Sequence, residues 1–149
     1  MGKLVGAQLG VSAWHQITQQ QVDLFAEATG DRQWIHVDPQ RARHGPFGRT
    51  IAHGYLTLSL LPTLLQDLVR VGGVRLAVNY GLNRVRFISP VPVGARIRAA
   101  AVLKEITEIP ESVVQLVLTV TVELEGETRP ACVAETVTRL YFSEAETAS

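Results

Sequence analysis

Two side chains that can exchange protons lie five residues apart in the first third of the chain. Asp31 and His36 fall in the segment between Gly30 and Pro39, which the sequence predicts to be a loop between two helices. A carboxylate and an imidazole held close together can activate a water molecule, because imidazole titrates near neutral pH, at about 6.5 when unperturbed. The pair therefore predicts acid/base chemistry. The sequence does not assign the proton to either residue, because a closely coupled pair titrates as a unit.

A second chemical signal follows at His53 and Gly54, which open a long apolar run. Residues 50–62 read TIAHGYLTLSLLP, a pattern typical of a buried helix whose first backbone amides are free to face a ligand. Such amides can stabilise negative charge on a carbonyl oxygen. Together with Asp31 and His36, this pattern predicts acid/base chemistry on a carbonyl compound.

The overall composition excludes several classes of function. With 149 residues and 46% hydrophobic content, we expect one domain over residues 1–149, with a frayed tail at 143–149. Fourteen basic side chains balance fourteen acidic ones, so we expect neither nucleic acid nor a membrane as a partner. No segment has the apolar length of a signal peptide or a bilayer span, which favours a cytoplasmic protein. The lone cysteine, Cys132, agrees with a reducing compartment and is a poor candidate for a nucleophile.

The sequence predicts three helical segments before residue 72. The first covers residues 19–29, with Thr18 as its N-cap and Gly30 as a left-handed stop. A short second helix begins after its cap, Asp38. The third extends from Gly54 to about residue 71 and is apolar on nearly every side in its first half, so other elements must surround it. Pro62 must either kink or divide this helix.

After residue 73 the pattern changes to strands, which follow an initial strand near the N-terminus. Residues 97–104 and 116–124 alternate in polarity as half-buried antiparallel strands do. Residues 74–89 and 128–142 are further strand candidates, and residues 125–127 form a hairpin turn. A highly apolar helix and a long antiparallel sheet bury each other most simply if the sheet curls around the helix, which predicts an α+β fold. The remaining sheet face and edge strands favour a homodimer.

Three stretches of the sequence resemble one family. Residues 25–42 (FAEATGDRQWIHVDPQRA), 51–54 (IAHG) and 83–94 (NRVRFISPVPVG) are similar to the MaoC-like dehydratases, the (R)-specific enoyl-CoA hydratases of the hot-dog fold. The similarity covers nearly the whole chain and looks closest to the nodulation protein N-like branch. The family's fold is a long antiparallel sheet wrapped around a central apolar helix. The chain keeps Gly30, Asp31 and His36 of the family pattern, and it departs from that pattern at Gln33 and Trp34, where the family usually has Asn and Pro.

The resemblance implies reversible addition of water to a trans-2-enoyl-CoA, giving an (R)-3-hydroxyacyl-CoA, with no metal or redox cofactor. It implies Asp31 and His36 as the catalytic pair and the backbone N–H of Gly54 as the donor to the thioester oxygen. The candidate substrate-binding residues are Gly54, His53, Gln33, Trp34, Asn83 and Arg86.

Several of these candidates also have structural explanations. Gln33 keeps the amide of the family's Asn, whereas Trp34 puts a large ring near the pair and leaves the acyl-chain preference open. A histidine at a helix start, such as His53, is more often structural than catalytic. Arg84 and Arg86 share one face of a strand, which fits a solvated surface as well as it fits the phosphates of CoA. No spacing among the acidic residues and histidines resembles a metal-ligand motif, so we expect no metal.

Two other functions compete with the hydratase. A hot-dog thioesterase commonly relies on an acidic residue of the central helix, and this helix carries none before Asp67. A non-catalytic acyl-CoA-binding or signalling module is harder to exclude, because both departures from the pattern fall between Asp31 and His36, although retention of the pair argues against it. The sequence leaves open the acyl chain length, the direction of the reaction and whether the carrier is CoA or acyl-carrier protein.

Overall fold

The computed structural model describes residues 4–143. Its strands are β1 (Gln8–Val11), β2 (His15–Gln16), β3 (Val74–Phe87), β4 (Arg96–Ile109), β5 (Val113–Leu124) and β6 (Cys132–Phe142). Its helices, all between β2 and β3, are α1 (Gln19–Thr29), α2 (Trp34–Val37), α3 (Pro39–Arg43), α4 (Gly54–Ser59) and α5 (Leu61–Leu65). From residue 144 on, the predicted frayed tail lies outside the described residues. Within the described part of the chain, no helix has the length and apolar character needed to cross a membrane.

The strands form one antiparallel sheet in the order β1-β4-β5-β6-β3, and β2 pairs with β4. The polarity alternation predicted for β4 and β5 is confirmed. On β5, Val120 and Val122 are fully buried, whereas Thr121 between them is only partly buried. On β4, Ile97 and Ala99 are fully buried in the same way. One face of the central strands therefore carries the core.

Helices α4 and α5 supply the other side of this core. Leu56, Leu61, Leu64 and Leu65 pack with the buried side chains of β4, β5 and β6 in one hydrophobic cluster. Burying a leucine side chain contributes about 1.5–3 kcal/mol to folding, so these contacts fix the helices against the sheet. The predicted α+β arrangement of a long antiparallel sheet around a central apolar segment is confirmed.

The central helical segment is divided and shorter than the sequence predicted. Leu60 ends α4, and Pro62 lies in the first turn of α5, where its missing N–H costs no helical hydrogen bond. The expected extension to residue 71 was wrong, since α5 ends at Leu65. Beyond it Leu65 O accepts the N–H of Leu68 at 3.0 Å and the N–H of Val69 at 3.1 Å, which closes a turn after the helix.

The predicted helix caps are confirmed, and one predicted loop is partly helical. Thr18 Oγ1 accepts the N–H of Gln21 at 3.1 Å, and Gly30 closes α1 with φ of +83°. Asp38 Oδ1 caps α3 in the same way. The segment between Gly30 and Pro39, predicted as a loop, contains the single turn α2, which places His36 on a short helix.

The turn between β5 and β6 is confirmed at its centre. The N–H of Glu127 donates to Leu124 O at 3.0 Å, and Gly126 has φ of +85°. Strand β6 begins at Cys132, later than the predicted residue 128. Pro130 has no N–H to donate to a strand ladder, which delays the start of pairing.

Cys132 is fully buried in the middle of the sheet, between Phe87 of β3 and Val122 of β5. Burial raises the pKa of its thiol to about 11. The thiol therefore stays protonated at neutral pH, in agreement with the expectation that Cys132 is not a nucleophile.

Candidate active site

Three hydrogen bonds join residues 31–36 to residues 51–53, which precede α4. The N–H of Ile51 donates to Ile35 O at 3.0 Å. The Nδ1–H of His36 donates to Ile51 O at 2.7 Å, and the Nε2–H of His53 donates to Asp31 O at 2.9 Å. These bonds hold Asp31 and His36 beside the start of α4.

The hydrogen bond to Ile51 O defines the tautomer of the His36 ring. Because a carbonyl only accepts, Nδ1 carries the proton, and in the neutral ring Nε2 keeps its lone pair. Only 7% of the residue is exposed, and this burial is the main reason that the pKa of His36 is lowered from its usual value. The charge of His53 lowers the pKa further, whereas the bond to Ile51 and the charge of Asp31 oppose the shift. His36 is therefore suited to accept a proton at neutral pH.

The carboxylate of Asp31 is exposed and lies close to both histidines. One carboxylate oxygen and one ring nitrogen each of His36 and His53 all lie within 4.8 Å of one another. Asp31 Oδ1 also faces the N–H of Gln33 at 3.4 Å, which holds the carboxylate near its own loop. The structure thus brings together the two residues whose spacing predicted acid/base chemistry, with the carboxylate open to solvent and the imidazole buried.

The same three residues have ligand types that metals use, but their geometry does not suit an ion. Two carbonyl oxygens already occupy Nδ1 of His36 and Nε2 of His53. The two rings stack with centroids 3.8 Å apart and planes inclined by only 23°. A histidine nitrogen binds a metal ion along its lone pair, which lies in the plane of the ring. Because the two ring planes are nearly parallel, their lone pairs do not converge on one ion. The expectation that the site uses no metal stays a prediction.

Gly54 begins α4, and its lack of a side chain has a packing reason. A Cβ at this position would lie 3.0 Å from two atoms of the Phe87 ring, which belongs to β3. His53 O accepts the N–H groups of Leu56 and Thr57, whereas no acceptor within the described residues is recorded for the N–H of Gly54. This amide is therefore free to donate to a ligand.

The remaining predicted site residues lie in different surroundings. Gln33 is exposed and precedes α2 as its N-cap. The ring of Trp34 packs against Gly45, where an added Cβ would approach it to 2.9 Å, and Arg41 lies 4.4 Å above the ring. This packing places Trp34 against α3. The substrate contacts of Gln33 and Trp34 stay predictions.

Asn83 and Arg86 lie on β3. Asn83 Nδ2–H donates to Glu135 Oε2 at 2.6 Å on the exposed surface. Arg86 is exposed and alternates with Val85, which packs against the core, so the guanidinium lies on the opposite sheet face. Neither side chain is among those that the described structure gathers around Asp31 and His36, and their substrate contacts stay predictions.

Sequence reasoning missed two residues that support His36. Gln19 Nε2–H donates to His36 O at 2.8 Å, and the buried Thr50 donates its hydroxyl to Gln19 Oε1 at 2.6 Å. These bonds tie α1, α2 and the segment before α4 together. Thr50 directly precedes the IAHG motif, but nothing in the sequence indicates that Gln19 at the start of α1 reaches it.

Comparison with known proteins identifies the chain as a MaoC-like dehydratase. Residues 1–124 match the MaoC like domain family, and the chain belongs to this family. It is an enzyme of the hydro-lyase class. The predicted family and its hot-dog fold are confirmed.

Relatives with known names support this assignment. The 3-hydroxyacyl-thioester dehydratase Z of Mycobacterium tuberculosis is 56% identical over 134 residues, which cover 90% of this chain and 89% of the relative. Nodulation protein N of Rhizobium leguminosarum is 46% identical over 140 residues, 93% of this chain and 87% of that protein. The structure of the (R)-hydratase from A. caviae involved in PHA biosynthesis superposes with a TM-score of 0.69 at 27% identity, covering 90% of this chain and 94% of the other.

We expect the imidazole of His36 to titrate below about 6.5, the usual value for histidine, because burial disfavours its charged form. The measurement is an NMR titration of histidine-labelled protein, with the signal assigned by its loss in His36→Gln. The unfolded chain binds the proton more tightly than the folded one. The His36 contribution to stability is therefore constant above about pH 6.5 and declines as the pH falls from there through the folded pKa. A titration midpoint above that value would contradict this description of the site.

Proposed function

We propose that the chain catalyses the reversible hydration of a trans-2-enoyl thioester to an (R)-3-hydroxyacyl thioester. The observation that carries this proposal is the buried His36 ring, which donates from Nδ1 to Ile51 O and has a ring nitrogen within 4.8 Å of a carboxylate oxygen of Asp31. A neutral imidazole next to a carboxylate is suited to orient a water molecule and to take its proton. The family membership and the dehydratase relatives support the same reaction.

The reaction has three chemical requirements, and the site offers a group for each. Water loses one proton as its oxygen attacks C3, C2 gains one proton, and the double bond between C2 and C3 is consumed. Asp31 and His36 handle the two protons as a pair and end the cycle in their starting state. Positioned acid/base groups of this kind typically contribute roughly 10² to 10⁴ in rate.

Negative charge gathers on the thioester oxygen during the attack. The free N–H of Gly54 is the donor for this oxygen, and the end of the helix dipole adds a partial positive charge there. Removal of one such donor typically costs about 10² to 10³ in turnover. The Phe87 ring packs against Gly54 and leaves no room for a side chain there.

We place the acyl chain in the cavity beside the central helices, although Asp31, His36 and Gly54 do not line that cavity. A cavity of about 600 Å³ lies between α4–α5 and strands β3, β5 and β6. It begins at Leu58, four residues after Gly54, and is lined mainly by apolar side chains, among them Leu58, Leu61, Leu65, Leu82, Leu116 and Leu140. Such a lining suits a hydrocarbon chain whose thioester end lies at the start of α4.

Thioester hydrolysis is a less well supported function for the same site. Residues 54–65, which form α4 and α5, contain no Asp or Glu. The central segment therefore offers no carboxylate to attack the thioester or to activate water against it. A binding module is the second alternative, and activity alone distinguishes it from an enzyme.

We also propose that the active form is a homodimer joined through β3. This 14-residue strand ends the sheet, and no strand among residues 4–143 pairs with its outer edge. Outside the cavity lining it carries exposed apolar side chains: Leu76, Val78, Tyr80 and Phe87. Antiparallel pairing of two copies of β3 about a two-fold axis satisfies the edge and covers these side chains. Because Phe87 contacts Gly54, the dimer contact then borders the site.

Purified protein mixed with crotonyl-CoA and longer trans-2-enoyl-CoAs is expected to consume the enoyl-thioester absorbance. Asp31→Asn and His36→Gln each remove one of the proton-handling groups and should lower kcat by roughly 10² to 10⁴. Asp67→Asn and His44→Gln are the matched controls, because both residues are exposed and Asp67 only pairs with Arg70. The controls should keep wild-type rates.

Three results would overturn this proposal. Variants of Asp31 and His36 that fold and keep full activity would remove the pair from the mechanism. Release of free CoA in place of hydration would indicate a thioesterase. Binding of acyl-CoA without turnover at any chain length would indicate a binding module.

The dimer proposal predicts that Val78→Lys yields monomers, because it puts charge among the exposed apolar side chains of β3. Val11→Lys is the matched control, since Val11 is a similarly exposed valine on β1, at the opposite edge of the sheet. Sedimentation equilibrium is the measurement. A monomeric wild-type protein, or a loss of dimers in the Val11 variant alone, would exclude β3 as the contact.

A further inference from the structure

His53 contacts both members of the proposed catalytic pair, but it is closed off from solvent. Only 2% of the residue is exposed. Its Nε2–H donates to Asp31 O, and its ring stacks on His36 with centroids 3.8 Å apart. The ring of Phe25 lies against it at 4.9 Å with a tilt of 56°. The sequence interpretation of His53 as a substrate-binding residue does not suit this burial.

The hydrogen bond of His53 defines which ring nitrogen donates. Its Nε2 carries a proton, since the carbonyl of Asp31 can only accept. Its Nδ1 is buried and has no hydrogen-bond partner within the described residues. A second proton on Nδ1 would leave a buried donor unpaired and would place a positive charge against His36. In its neutral form His53 therefore carries its single ring proton on Nε2.

The groups around His53 are few. The titratable side chains that the described contacts place next to it are Asp31 and His36. From α1 it meets the uncharged ring of Phe25, and on the side of β3 the ring of Phe87 covers the neighbouring Gly54. Among the described residues, the polar side chains closest to His53 are thus those of the catalytic pair.

We propose that His53 is a positioning residue that fixes the backbone of Asp31 through its Nε2–H and fixes the ring plane of His36 by stacking. This inference rests on the proposed hydration reaction. His53 touches no substrate in this account. It acts by holding the carboxylate and the imidazole in one arrangement, because a misplacement of about 1 Å can cost roughly 10²-fold in rate.

Two substitutions separate the two contacts. His53→Gln keeps an N–H donor within reach of Asp31 O but removes the stacked ring. His53→Phe keeps a ring to stack on His36 but removes the donor. Since neither contact involves substrate, we expect kcat to fall by about tenfold to a hundredfold in each variant, with KM changed by less than about twofold. The same substitutions at the exposed His44 are the controls and should leave kcat and KM unchanged.

The titration of His36 gives a readout that a purely structural role would not change. The charge of His53 is one cause of the lowered pKa of His36, so the pKa of His36 should rise in both variants, and the acidic limb of the kcat/KM profile should move to higher pH with it. NMR measures this shift without substrate. It therefore tests the contact between the histidines even if the wild-type protein hydrates no enoyl thioester.

Lower kcat with unchanged KM and a raised His36 pKa would support positioning. Unchanged kcat in both folded variants, or an increase in KM alone, would overturn it, the latter by making His53 a substrate contact. If His53→Phe does not fold, His53→Gln decides alone, and an unshifted His36 titration in that variant would overturn the proposal.

Discussion

The site depends on the hydrogen bonds that join residues 31–36 to residues 51–53. Ile51 is bonded through both its N–H and its carbonyl, to Ile35 O and to the His36 ring. His53 adds the third bond, to Asp31 O. These contacts fix the His36 tautomer, keep the Asp31 carboxylate nearby and place both beside the first amide of α4. The bonds of Gln19 to His36 O and to Thr50 support the same arrangement from the side of α1.

The sheet and the central helices hold this junction in place. Residues 50–52 are themselves bonded to residues 91–93, because Val93 N–H donates to Thr50 O at 2.9 Å and Ala52 N–H donates to Val91 O at 2.8 Å. Immediately after this ladder the chain enters α4 and buries Leu56 in the core. The apolar packing that stabilises the fold thus also determines where the Gly54 amide lies. Stability and the proposed chemistry share the same short segment.

Features that depend on neighbouring residues could be predicted from the sequence. Features that depend on contacts between distant residues could not. Thr18, Gly30 and Asp38 cap helices through bonds within four residues, so their roles could be predicted directly. The alternation on β4 and β5 and the spacing of Asp31 and His36 are equally local signals. The burial of His53 and the contact of Phe87 with Gly54 depend on how the sheet meets the helices. No spacing encodes such contacts, so the sequence could not predict that His53 is buried against His36 and Phe25.

The most direct test of the account follows the oxygen of water. The protein is incubated with crotonyl-CoA in water labelled with the heavy isotope of oxygen, and mass spectrometry locates the label in the products. The account predicts label in the hydroxyl group at C3 of an intact acyl-CoA, in the (R) configuration, and its loss in Asp31→Asn. Label in the carboxylate of a released acid, or none in any product while acyl-CoA is bound, would contradict it.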